Sequence, residues 1–197
     1  LEGNPYTLPE VQTTLSGITV GGHKISDQTQ VLNIAAGWSE IIRQVVANKF
    51  IVSKENFIHI NTLIAQDEAL SVGSFRDGQV SISGSDYRPP RAGAELEKAF
   101  LQLLQHYQQA PDIAMQAFSV FFDAARAQFF YDGNKRTGQL MMNGILLSAG
   151  YAPTVIFADA QLEYNQKILS FYQNGDKDEM MDFLKSQYER VLNRFQD

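Results

Sequence analysis

The residues best suited to chemistry lie in one short stretch, QFFYDGNKRTGQ, at positions 128–139. Asp132, Gly133 and Asn134 interrupt one apolar helical pattern and open another, so a helix should end near Gln128 and the next begin near Asn134. The second helix, through Ser148, carries Leu140, Met141, Met142, Ile145, Leu146 and Leu147 nearly all round its axis, which predicts a helix buried at the centre of the fold. Backbone N–H groups, the carboxylate of Asp132 and the cations of Lys135 and Arg136 therefore gather at the N-terminal end of a central helix. Unbonded amides and the positive end of the helix dipole both favour an anion there, so the expected ligand chemistry is phosphate. Taken alone, Asp132 reads first as a helix N-cap.

The charge balance narrows the partners. A net charge of -6 argues against a non-specific nucleic-acid or anionic-membrane surface, both of which need clustered Lys and Arg, so any phosphate site must be local. The absence of cysteine removes disulfides, thiolate metal sites and cysteine nucleophiles, and favours a cytoplasmic setting. No apolar run of about 18 residues and no signal-peptide pattern is visible. With 197 residues and 44% apolar content, the expectation is one globular domain over 1–197 with a sizeable core.

The elements that position the stretch are mainly helical. Thr7, Leu8, Pro9 and Glu10 fit a capping box with proline in the first turn, predicting a short helix over 8–15. Val31, Ile34, Ala35, Trp38, Ile41, Ile42 and Val45 recur at helical spacing, predicting a long helix over about 27–47. Ser53 caps another, with Phe57, Ile60 and Ile64 inward and His59 read as a packing residue. Helices are also expected over about 94–108, 111–128, 160–172 and 179–195. In the helix over 111–128, Ala117, Phe121, Ala124 and Gln128 share one stripe, placing the Gln128 amide on the buried side, where it must find partners. Gly138 and Gly144 inside the central helix suggest close helix crossings. Segment 73–87 differs in character. Phe75 alternating with Arg76, the Asp77-Gly78 pair, then Val80 and Ile82 on alternate positions, predict a β-hairpin flap with an open edge. Such an edge is either a structural cover or a strand-addition site for a peptide.

At this point the residues resemble the Fic (Fido-fold) family, whose signature H-P-F-x-[DE]-G-N-G-R-x-x-R lies between two central helices. The matching positions are Phe130, Asp132, Gly133, Asn134 and Arg136. DGNKRTGQLMMNGILLSAGYAP is similar to the family's loop, helix and turn, and GSFRDGQVSISGSDYRPP resembles its flap. LEGNPYTL, within the first 16 residues, resembles the family's inhibitory segment, with Glu2 as the regulatory glutamate. The resemblance implies a helical domain with a β-hairpin flap that transfers AMP from ATP to a hydroxyl of a target protein. It assigns Gly133, Asn134 and Lys135 to an anion nest, Arg136 to the phosphates, and Asp132 to Mg²⁺. Phe75, Arg76, Val80 and Ile82 would hold the target segment by strand pairing. A homo-oligomer is compatible with the same reading.

The departures from the signature bear on activity. Gln128 stands where the family has its histidine base, and an amide cannot take a proton; loss of a positioned base typically costs about 10²- to 10⁴-fold in rate. Gln139 replaces the final arginine that grips the outer phosphate and would pair with Glu2, Phe129 replaces the proline, and Lys135 the second glycine. Where many members carry paired tyrosines beside adenine, this chain aligns Asn165 and Gln166, with Tyr164 one position away. The leading expectation is a nucleotide- or phosphate-binding Fic-fold protein, weak or inactive in transfer. One alternative is an active AMP-transferase with an unusual base, or a kinase like the Doc toxin, a relative that shares Asn-Lys-Arg in this loop. The other is a non-enzymatic interaction module.

Overall fold

The computed structural model of the protein describes residues 3–194. Its elements are α1 (Leu8–Leu15), α2 (Ile25–Val46), α3 (Lys54–Ala65), α4 (Ala94–Gln109), α5 (Ile113–Ala127), α6 (Asn134–Ser148), a 3₁₀ turn (Ala158–Ala160), α7 (Gln161–Asn174) and α8 (Asp178–Arg194). Several begin on caps legible in the sequence. Glu10 accepts from the Thr7 backbone N–H at 2.8 Å, the Ser53 hydroxyl from Asn56 N–H at 3.2 Å, and Asp112 from Met115 N–H at 2.8 Å. Each capping side chain satisfies an amide that the helix itself leaves without a partner.

Helix α6 lies at the centre, against α5, α2 and α3. Leu140, Met141, Met142, Ile145 and Leu146 are all buried, as the all-round apolar pattern requires. Gly138 faces Phe121 and Ala124 of α5, where an added Cβ would come within 3.3 Å, so it does serve a close crossing. Gly144 does not. A Cβ there would fall 2.2 Å from the ring of Phe50, which sits in the α2–α3 connection rather than on a helix. A close approach absent from the sequence reading is Gly37 of α2, whose added Cβ would meet Ile64 at 2.5 Å and Leu140 at 2.7 Å.

The β-hairpin expected over 73–87 is not formed: no strand occurs among the described residues. The alternation misled because Arg76 does not face water. It is 3% exposed, and its guanidinium donates to three carbonyl oxygens, those of Gln128 at 2.6 Å, Gly78 at 2.7 Å and Pro90 at 2.5 Å. Its backbone N–H donates to Phe129 O at 2.9 Å. Phe75 and Arg76 therefore both turn inward, and period-two alternation fails at its first pair. Phe75 stacks on Phe129 with ring centroids 4.7 Å apart, while Ile82 packs on the core and Val80 is half-buried. His59 also differs from expectation. Its side chain is 51% exposed and bonds Glu40 at 3.1 Å instead of packing inward.

Candidate functional site

The 128–139 stretch is held from three sides. Gln128 ends α5 in the left-handed region at φ 50°, and its amide finds two partners: Nε2 donates to Ala125 O at 2.6 Å, and Oε1 accepts from Asn134 Nδ2 at 3.0 Å. Asn134 closes the loop on itself by accepting from Phe130 N–H and donating to Phe130 O, both at 2.8 Å. Phe129 and Phe130 are buried in an aromatic cluster with Phe57, Phe75 and Phe100. The loop is thus pinned at its entry by packing and at its exit by the central helix.

The third hold comes from α3. Asn61, fully buried, donates from Nδ2 to Asp132 O at 2.9 Å and to the Thr137 hydroxyl at 3.1 Å. Gly133 lies against it with φ 75°, and a Cβ there would stand 3.0 Å from Asn61 Nδ2, so the left-handed turn into α6 has little room for a side chain. The first intrahelical bond of α6 runs from Thr137 N–H to Gly133 O at 2.8 Å. The amides of Asn134, Lys135 and Arg136 precede that bond, at the helix end that attracts anions.

The charged groups form a compact chain. Arg136, 8% exposed, donates to Glu68 Oε1 at 2.9 Å, to Ile64 O at 3.3 Å and to Asp132 Oδ1 at 3.1 Å. Glu68 is steadied in turn by Gln30 of α2 at 3.2 Å. Asp132 also accepts from Gly133 N–H, yet its side chain is 51% exposed. A half-exposed carboxylate can add a metal ion through its outward oxygen, with the remaining ligands supplied by phosphate and water as Mg²⁺ prefers. No group of three or more His, Cys, Asp or Glu among the described residues could hold a metal by itself.

Two cavities share Arg136 as a lining residue. The smaller, of about 90 Å³, is lined by Gln128, Tyr131, Asp132, Gly133, Asn134, Lys135 and Arg136. The larger, of about 390 Å³, is lined by residues that include Arg136, Gln139, Trp38, Tyr164 and Asn165, with Tyr6 and Leu8 of the N-terminal segment. That volume lies in the range of small-molecule sites. Gln139 Nε2 donates to the Tyr164 hydroxyl at 3.3 Å. Asn143, buried in α6, accepts from Thr154 N–H at 2.7 Å and donates to Thr154 O at 3.1 Å, which ties these two lining residues together.

The stretch expected to act together does come together: Gln128, Asp132, Gly133, Asn134, Lys135 and Arg136 share one cavity, and Gln139 borders the next. Glu2 lies outside the described residues. Arg76 takes a clasping position beneath the loop, and burial lowers the pKa of its guanidinium from the usual arginine value. Asn61 and Glu68 were not singled out from sequence. Asn61 sits beside Ile60 and Ile64 on the buried face of α3, and that polar exception was its only signal; Glu68, in a polar run after α3, gave none.

Residues 51–146 match the Fic/DOC family. The chain is 28% identical over 197 residues to the protein adenylyltransferase Fic of Aedes aegypti, covering 94% of this chain and 37% of that protein. It is 26% identical over 199 residues to the protein of the same name from Drosophila mojavensis, covering 99% of this chain and 39% of the relative. The chain thus spans less than two fifths of the length of these relatives. Among solved structures, the 134–508 portion of Fic-1 from C. elegans superposes with a TM-score of 0.85 at 17% identity, covering 98% of this chain and 58% of that one. A Fic-domain signalling protein from Bacteroides thetaiotaomicron superposes with a TM-score of 0.79 at 20% identity, covering 98% of this chain and 80% of that one. No helix among the described residues is long and apolar enough to cross a membrane.

Proposed function

We infer that this chain, a member of the Fic/DOC family, binds a nucleoside triphosphate with its phosphates on the 132–136 loop and its nucleoside in the larger cavity. The observation that carries this reading is that Arg136 lines both cavities, the smaller bounded otherwise by Gln128 and residues 131–135 and the larger by residues that include Trp38, Leu140 and Tyr164. Charged phosphates suit the first and a flat, largely apolar base suits the second. ATP is the nucleotide expected, in keeping with relatives named adenylyltransferase. Asp132 would hold the accompanying Mg²⁺, which neutralises phosphate charge.

Transfer of AMP to a protein hydroxyl is expected to be weak. Gln128 contributes an amide already committed to Ala125 O and Asn134, so it neither accepts a proton nor turns freely toward a hydroxyl. Arg136 is partly spent on Glu68 and Asp132, and an incoming phosphate must compete with both carboxylates. Segment 73–87, close to the loop through Arg76, is where a target segment would dock, by contacts other than pairing along a preformed strand. Calorimetric titration with ATP and Mg²⁺ tests the reading. Saturable binding that Lys135→Glu weakens is expected; no heat at millimolar ATP would leave a folded scaffold without the proposed ligand.

A further inference from the structure

Most of the buried and half-buried arginines are committed. Arg136 bonds Glu68 and Asp132, Arg190 bonds Asp159, and Arg76 is spent on carbonyl oxygens. Arg126, in the last turn of α5, differs. It is half-buried, no oxygen among the described residues accepts a hydrogen bond from it, and its Nε is shut off from solvent without a partner. The acids around it are engaged elsewhere: Asp123, one turn back on the same helix, bonds His106 and Lys177, and Asp176 accepts from Asp178 N–H. Buried polar groups are rarely left unpaired, so a guanidinium with all five N–H donors uncommitted calls for an acceptor from outside the chain.

The guanidinium is nonetheless held in one place. Its Cζ lies 4.3 Å from the centre of the Tyr87 ring and 5.9 Å from that of Phe171. Burial raises the Tyr87 phenol above its usual value, with Arg126 opposing, so the ring stays neutral. Aromatic faces attract the cation, and stacking its flat side leaves the N–H edge for bonding. Gly175, at the end of α7 with φ 75°, makes room for it: a Cβ there would stand 2.1 Å from Nη1, so any side chain would displace the guanidinium.

Tyr87 also ends segment 73–87, and two further arginines follow it. Arg88 and Arg91 are exposed, and neither forms an ion pair among the described residues. Of the acids beside them in sequence, Glu95 accepts from the Arg91 backbone N–H and Asp86 bonds no arginine. In a chain of net charge -6, this end of the segment therefore presents uncompensated positive charge. We propose that Arg126 receives a carboxylate of the target segment, so that the partner is an acidic peptide, a reading that rests on target docking at 73–87. The planar guanidinium offers parallel N–H bonds to the two carboxylate oxygens. One such pair does not hold a lone anion against water, but it strengthens a segment already held along 73–87 by about 10- to 100-fold in affinity.

The whole ¹⁵N-labelled chain is titrated with a peptide of Gly, Ser and Glu, with the same peptide carrying Gln for Glu, and with inorganic phosphate. NMR follows the Arg126 Nε–Hε signal and the amides of 73–87. The Glu peptide should shift both saturably and bind about 10- to 100-fold tighter than the Gln peptide. Arg126→Met should bind the two peptides alike. Equal affinities for the two peptides in the unaltered chain, or shifts over 73–87 with Arg126 unmoved, overturn the assignment and leave docking intact. Absence of shifts from either peptide up to millimolar concentration removes docking and anchor together. Phosphate moving Arg126 as strongly as the Glu peptide would mark a small-anion site and overturn the peptide partner. The titration of the unaltered chain decides the matter even if the variant folds poorly.

Discussion

Replacing Arg76 by methionine separates a buried clasp from a docking residue. Methionine keeps much of the stem volume but removes the guanidinium donors to Gln128 O, Gly78 O and Pro90 O. A buried carbonyl left without a donor costs about 1–3 kcal/mol. Part of that loss is offset, because the fold no longer has to desolvate a guanidinium whose pKa is lowered by burial. The net effect expected is about 2–5 kcal/mol of destabilisation. For a chain of this size each kcal/mol moves the melting temperature by about 2–4 °C, so the midpoint should fall by roughly 4–20 °C. Thermal unfolding followed by circular dichroism reads this, and limited proteolysis reads local release of 73–90, which should be cut earlier in the variant. A midpoint within about 2 °C of the parent, together with an unchanged cleavage rate, would refute the clasp. It would mean that water replaces the guanidinium and that the segment owes its path to other contacts.

Three further outcomes are expected. Gly144→Ala places a methyl 2.2 Å from the Phe50 ring, and this overpacking should cost about 1–3 kcal/mol, measurable by urea titration; an unchanged midpoint would mean that Phe50 moves without penalty. Glu40, held down to about 2 chiefly by the hydrogen bond from Arg43 and further by Gln44 and His59, has a folded pKa below its usual 4.5, so its stabilising contribution is present above pH 4.5 and is lost as pH falls toward 2. Glu40→Gln should flatten the stability profile in that window, and an unaltered slope would contradict the linkage. Gln128→His restores a group that can accept a proton, and any AMP transfer should then rise by about 10²- to 10⁴-fold in a radiolabel assay; a rate equal to the parent's would show that the missing base is not what limits the site.

The helices were legible because their signals are local. Thr7, Ser53 and Asp112 cap the starts that their spacing announces, and the apolar pattern of 140–147 marks a buried central helix. The loop was legible for the same reason, since Asp132 to Arg136 follow one another along the chain and enter one cavity. What failed depended on distant partners. Arg76 reads as solvent-facing until carbonyls from residues 78, 90 and 128 are seen around it, and that inward turn is why the apparent strand alternation carried no strand. His59 reads as packing until Glu40 of the preceding helix is placed beside it. Asn61 and Glu68 brace Asp132 and Arg136 from 71 and 68 residues away, and no short pattern marks a lone amide or a lone carboxylate for such a role.

The central claim is that a nucleotide's phosphates rest on the amides at the start of α6. Its most direct test is an amide NMR titration of the ¹⁵N-labelled chain with ATP and Mg²⁺. Saturable shifts of Gly133, Asn134, Lys135 and Arg136 are expected, with Trp38 and Tyr164 moving as the larger cavity fills. Unmoved signals at these positions up to millimolar ATP, with the protein folded, would contradict the claim.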